Sequence, residues 1–282
     1  MIPAHVHPGP AAAPGLFGLV TVAGALLVTV LYQLAAARLR RRGDAWPRWR
    51  GASFTAGGAG VAWAAVGPLP GGPFTAHMAQ HLITGMAAPL LLVLARPLTL
   101  ALRALPPGPT RRGLPALAHS RAAGLLVFPP LAALLDVGGL WLLYRTGLFA
   151  ATRHEPWLHA AVHTHVLAAG LLFTFAVSRL DPVRRRWSLA LRGTTLLAAG
   201  AAHAVLAKTL YAAGPPGTAF TAADLHTGAQ VMYYGGDLAE AALAVVVAAS
   251  WYAATGRAWA RERRTADTGP VPLPVTGSPA GR

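Results

Sequence analysis

Residues 16–50, LFGLVTVAGALLVTVLYQLAAARLRRRGDAWPRWR, decide the fold. The run from Leu16 to Ala37 carries no charge and has the length of a helix that crosses a bilayer, about 20 residues. It stops at Arg38, Arg40, Arg41, Arg42, Arg48 and Arg50, a block expected on the cytoplasmic side of a membrane.

Outward from this stretch, further apolar runs at 52–67, 74–95, 122–144, 157–178, 189–212 and 228–252 join 16–37 as candidate spans. The arginines sort with them. Arg96, Arg103, Arg111, Arg112 and Arg121 follow the third run, Arg179, Arg184, Arg185, Arg186 and Arg192 the fifth, and Arg257, Arg261, Arg263 and Arg264 the seventh. The other side keeps Arg145, Arg153 and Lys208. The expectation is an all-α integral membrane protein, a bundle of about seven transmembrane helices with the amino terminus outside and the carboxyl terminus in the cytoplasm. Residues 1–15 read as an exported tail, 16–255 as the membrane domain, and 256–282 as a basic and then disordered cytoplasmic tail. Segment 97–105 (PLTLALRAL), bounded by Pro97 and Pro106, reads as a short amphipathic piece along the cytoplasmic surface.

Composition agrees. Hydrophobic residues make up 54% of the chain and charged residues 12%, which suits lipid as the surrounding solvent. Lys plus Arg outnumber Asp plus Glu by 24 to 9, but the basic residues sit in short blocks between apolar runs, which argues against nucleic acid as a partner. The absence of cysteine excludes disulfides and thiolate metal sites.

The chemistry lies in the histidines. His77 and His81 are four residues apart on one face at the outer end of span three, and His159 and His163 repeat the spacing in span five. His165 follows on a neighbouring face, His203 lies about three turns inside span six, and His226 precedes span seven. Paired neutral imidazoles suit copper, zinc or iron, and the thioethers of Met78, Met86 and Met232 favour Cu(I). His5, His7, His119 and His154 read as interfacial residues, and each Met taken alone reads as packing. Asp237 and Glu240 share a face of span seven, with Asp237 placed to meet His203; Asp136 in span four reads equally well as a structural polar contact.

Two longer stretches carry a resemblance. The first is His77-Met78-Ala79-Gln80-His81, with Ala88-Pro89-Leu90-Leu91-Leu92-Val93-Leu94 and then Arg96-Pro97 through Leu102-Arg103-Ala104-Leu105-Pro106. The second is His159-Ala160-Ala161-Val162-His163-Thr164-His165, with Gly170-Leu171-Leu172-Phe173 and Asp181-Pro182-Val183 behind it. Together with His203, Asp224, Gly228, Met232 and Gly235, they resemble the CtaG-type assembly factors of bacterial haem-copper cytochrome c oxidases. The chain departs from that pattern at Thr174-Phe175 and Tyr233, where Trp is usual, and at His226, where Gln is expected.

The resemblance implies a bacterial cytoplasmic-membrane protein that helps build the copper-containing core of a respiratory oxidase. The expected function is a non-enzymatic chaperone that binds copper through His77, His81, His159 and His163, with His165 and His203 as further ligands or relay positions. Met78, Met232, Asp237 and Glu240 would support or gate the site. Expected partners are cytochrome c oxidase subunits or another cuproprotein client, and membrane lipid. The alternatives are a b-type haem oxidoreductase and a proton or metal-ion transporter through His77, His203 and Asp237; the apolar AALAVVVAAS after Glu240 speaks against the transporter. A metal-dependent hydrolase would need a base and has Glu155 or Asp224 to offer.

Overall fold

The computed structural model describes residues 15–118, 120–181 and 187–267. The expected exported tail with His5 and His7, His119, the segment Pro182 to Arg186 and the last residues from 268 onward lie outside the described residues. Among the described residues every regular element is helical.

In chain order these are α1 (Leu16–Arg41), α2 (Arg48–Val66) and α3 (Pro73–Leu82), then a π-helical segment (Ile83–Ala87) leading into α4 (Ala88–Leu94) and α5 (Pro97–Ala104). α6 (Pro109–Ala118), α7 (Arg121–Leu126) and α8 (Pro129–Ala133) precede a second π segment (Leu134–Gly138), and α9 (Gly139–Arg145) and α10 (Leu148–Thr152) follow it. Three long helices, α11 (Pro156–Ser178), α12 (Leu189–Ala212) and α13 (Ala222–Asp267), complete the fold.

Among the described residues five stretches are long and apolar enough to cross a membrane: Leu16–Arg41, Pro73–Ala104, Pro156–Ser178, Leu189–Ala212 and Ala222–Arg263. Large apolar side chains on these helices point away from the protein, as at Leu197, 75% exposed, and Leu238, 73% exposed. Such a surface is stable in lipid, where helices satisfy their own backbone hydrogen bonds, and would aggregate in water.

The two remaining expected spans differ from the five. α2, covering 52–67, is rich in small residues, and its glycines admit close neighbours: a Cβ on Gly57 would meet Leu92 at 2.8 Å, and one on Gly58 would strike Thr29. The run 122–144 is broken. Pro129 and Pro130 cannot continue a helix from the preceding turn, and the chain restarts as α8 before passing through the second π segment into α9. Span seven is longer than expected, because α13 continues through the basic residues to Asp267.

Two carboxylates fix helix ends across the fold. Asp181, after α11, accepts hydrogen bonds from the backbone N–H of Leu98 (3.3 Å) and Thr99 (2.9 Å) and from the Thr99 hydroxyl, and so caps α5. Asp224, in the first turn of α13, accepts from the N–H of Phe74 (2.8 Å) and Thr75 (3.0 Å) and from the Thr75 hydroxyl (2.7 Å), capping α3. Each negative charge sits at the positive end of a helix dipole.

α5 packs on α1, burying Leu100 and Ala104 in a cluster with Tyr32, Leu39, Trp46 and Phe54. Arg96, just before it, holds the left-handed conformation at φ 55°. That conformation costs about 1–2 kcal/mol for a side chain with a Cβ. It is pinned on one side by the Tyr32 hydroxyl, which donates to the Ala95 carbonyl at 2.8 Å, and on the other by the Asp181 cap.

Candidate functional site

α3 presents its histidines at the end of the bundle where α1, α11 and α13 begin. Asp224 clamps its first turn, and Met78, fully buried, packs into a cluster with Phe74, Leu140, Tyr144, Leu206 and Met232. His81, three residues on, shares the buried face of Met78 and is turned to α12, while His77 lies beside it toward α9 and α11.

The two histidines of α3 then part company. The His77 ring centre lies 6.0 Å from that of His163 on α11, and its Nε2 is hydrogen-bonded to the Tyr144 hydroxyl at 2.9 Å. His163 is itself 4.2 Å, ring centre to ring centre, from His159 one turn earlier. Phe17 at the start of α1 covers this pair, at 6.0 Å from His159 and 6.3 Å from His163. His81 instead pairs with His203 on α12, again with ring centres 6.0 Å apart.

The residues around His81 and His203 are closely fitted. His81 is 5% exposed and His203 2% exposed. Neither nitrogen of His81 nor Nε2 of His203 has a hydrogen-bond partner among the described residues. Nδ1 of His203 lies 3.6 Å from Oε1 of Glu240 on α13. A Cβ on Gly236 would collide with the His203 ring, and one on Gly200 with the Glu240 carboxylate. At Gly236 only glycine leaves room for the buried ring, whereas at Gly200 a Cβ would push the Glu240 carboxylate aside.

Glu240 is the acid in ion-pair range of His203, and Asp237, which the sequence placed there, lies within electrostatic range of both. Gly236 and Glu240 are four residues apart and share the face of α13 turned to α12, whereas Asp237 is rotated by about 100° from Gly236 and is exposed. Asp136, in the second π segment, lies within electrostatic range of Glu240. Both π segments border this region, and wide helical turns of this kind re-aim side chains at functional places.

His165 faces elsewhere. Its Nε2 is 3.0 Å from the Leu135 carbonyl, an acceptor that the π segment leaves without its usual helical donor, and it packs over Gly139. His226 stacks on Tyr211 with ring centres 4.2 Å apart, and His154 is exposed. Met78 and Met232 are fully buried in the apolar cluster. Among the described residues, no three or more His, Asp or Glu side chains form a ready-made metal cage; the histidines meet in pairs. A cleft of about 450 Å³ between the end of α2 and α3 reaches His77, lined by Val66, Leu69, Pro73 and Gln80 among others.

Sequence patterns did not single out Tyr144, which is fully buried and lies beside both α3 histidines, its ring centre 5.9 Å from His77 and 6.4 Å from His81. They also missed the capping role of Asp224. A signal existed, because Gly72 precedes α3 and offers no side-chain cap, so the first-turn donors must be met from elsewhere.

These features define a polytopic helical membrane protein with histidines gathered at one end of its bundle. A family model, the cytochrome c oxidase caa3 assembly factors, matches residues 30–254, and the chain belongs to that family. Uncharacterized proteins of Mycobacterium bovis and Mycobacterium tuberculosis are each 31% identical to it over 267 residues, and one of Mycobacterium leprae is 30% identical over 268. Each alignment covers 87% of this chain but 40% of the relative, so the chain spans less than half the length of those proteins. No solved structure matches the chain.

Proposed function

We propose that this protein is a multi-pass factor of the bacterial cytoplasmic membrane that carries copper as cargo to a haem-copper oxidase under assembly. It crosses the membrane seven times, with the histidine end of the bundle outside. Five apolar helices support the crossings, together with α2 and the α7–α9 stretch as the shorter pair. Orientation rests on arginine placement. The loop after α1 and the last turn of α5 meet through the 2.9 Å Arg103–Asp44 ion pair, and Arg103 also lies over Trp46, so the basic segments after the first and third expected spans share one end.

One observation carries the copper reading: histidines far apart in sequence, on α3, α11 and α12, converge in the interior, and some of their nitrogens lack partners. An unpaired buried polar atom is destabilising, so its retention favours a ligand role. Imidazole suits a soft ion, and incomplete ligand sets favour exchange over permanent capture. In this reading His77, His81, His159, His163 and His203 hold the ion, while His165 anchors the second π segment.

The rival readings fit less well. A haem between paired histidines needs a wide flat slot, yet the Tyr144 ring lies close to both α3 histidines and Gly236 abuts His203. A through-path for ions is opposed by the apolar cluster of Phe173, Val177, Leu196, Ala199, Leu243 and Val247, which closes the bundle beyond Glu240.

Copper content and optical spectrum of the detergent-purified protein, beside the His77→Ala, His81→Ala double variant, test the proposal. Copper retained by the parent and lost by the variant is the expected result. Full retention in the variant, or a haem band in the parent, would overturn it. Orientation is tested separately. The chain has no cysteine, so Ala45→Cys and Ala213→Cys, both exposed, should label from opposite sides of the membrane.

A further inference from the structure

The copper reading treats the α3 histidines as one chelating pair, but their geometry divides them. Each faces a partner on a different helix, and both ring separations are 6.0 Å. That separation has a chemical meaning. Metal–nitrogen bonds of about 2 Å, with about 1.1 Å from ring centre to nitrogen on each side, place two imidazoles that share an ion about 6 Å apart. Along α3 the two pairs are one turn apart, about 6 Å. Tyr144 lies beside both, fully buried, with its hydroxyl bonded to His77.

The charge environments differ as well. Among the described residues no carboxylate acts on His77, His159 or His163, and the cleft by α2 gives access. His81 and His203 are 5% and 2% exposed, with Glu240 at hand and Asp237 within electrostatic range. Two neutral imidazoles and a monovalent cation carry a net positive charge, which low-dielectric surroundings oppose. A carboxylate beside them cancels it.

We propose that the histidines form two separate stations for a soft monovalent cation, an outer one of His77 and His163 and an inner one of His81 and His203 with Glu240 as counter-charge. The proposal rests on the copper reading and refines it. The outer station receives the ion from the cleft, with His159 beside it. The inner station, neutralised by Glu240, holds it more tightly, so the ion moves inward by one helical turn alongside the Tyr144 ring. The glycines at 236 and 200 belong to the inner station, because a Cβ at either would displace a member.

Anaerobic Cu(I) titration of the detergent-purified full chain against a chromophoric chelator tests this. The parent should bind two ions per chain. His163→Ala and His203→Ala should each bind one, and X-ray absorption of the His163→Ala protein should show nitrogen ligands at about 2 Å. Gly236→Ala removes no ligand and should also bind one, lost from the inner station. Gly193→Ala, whose Cβ would meet nothing within 4 Å, should keep two. Glu240→Gln should weaken one ion at least tenfold and leave the other unchanged. Size-exclusion profiles and thermal midpoints establish that each variant is folded. One ion in the parent, lost in either histidine variant, would overturn the two-station arrangement and leave the copper reading standing. No copper in a folded parent would overturn both.

Discussion

Replacing Asp224 with Ala removes three hydrogen bonds at once from the start of α3: those from the N–H of Phe74 at 2.8 Å, the N–H of Thr75 at 3.0 Å and the Thr75 hydroxyl at 2.7 Å. Hydrogen bonds to a charged group contribute about 1.5–3 kcal/mol each when buried, and loss of a helix cap costs about 0.5–2 kcal/mol. Asp224 is half-buried and water can replace part of what is lost, so the low end applies, about 2–3 kcal/mol in all. Thermal midpoints of chains of this size move by about 2–4 °C per kcal/mol, so a fall of about 4–12 °C is expected in detergent. Asp224→Asn keeps an acceptor oxygen and should lose about half as much. The readout is tryptophan fluorescence on heating. His77 lies in the first turns of the helix that this carboxylate clamps, so outer-station binding should weaken along with the midpoint. A midpoint within 1 °C of the parent would refute the cap as a determinant of α3 placement. A catalytic base at Asp224 would instead predict unchanged stability.

Gly170→Ala should prevent folding or sharply lower the midpoint, because its Cβ would strike the Gly85 carbonyl where α11 crosses the first π segment; expression and size-exclusion profile check it. Arg192→Leu removes the guanidinium that donates to the Val177 carbonyl at 2.8 Å, and should cost about 1.5–3 kcal/mol, read as a lower thermal midpoint. Tyr144→Phe loses one hydrogen bond to His77 and should cost about 1 kcal/mol, whereas Tyr144→Ala empties a fully buried site and should cost about 3–5 kcal/mol; paired thermal scans separate them.

The sequence by itself determined the solvent and much of the secondary structure. Uncharged runs of about 20 residues and arginine blocks at their ends are local features, and local features settle that this chain is helical and lives in a bilayer. The same is true of the spacing of His77 with His81 and of His159 with His163, because residues four apart share a helical face whatever the helix packs against. Tertiary structure decided the partners. His77 meets His163, His81 meets His203, and Glu240 joins Asp237 near His203. Helices in lipid are apolar on nearly every face, so hydropathy does not say which face turns inward or which helices are neighbours. That choice falls to close contacts such as Gly170 on Gly85 and Gly236 on His203, to the π segments that break the helical register, and to the Asp224 and Asp181 caps that tie the helices together across the fold.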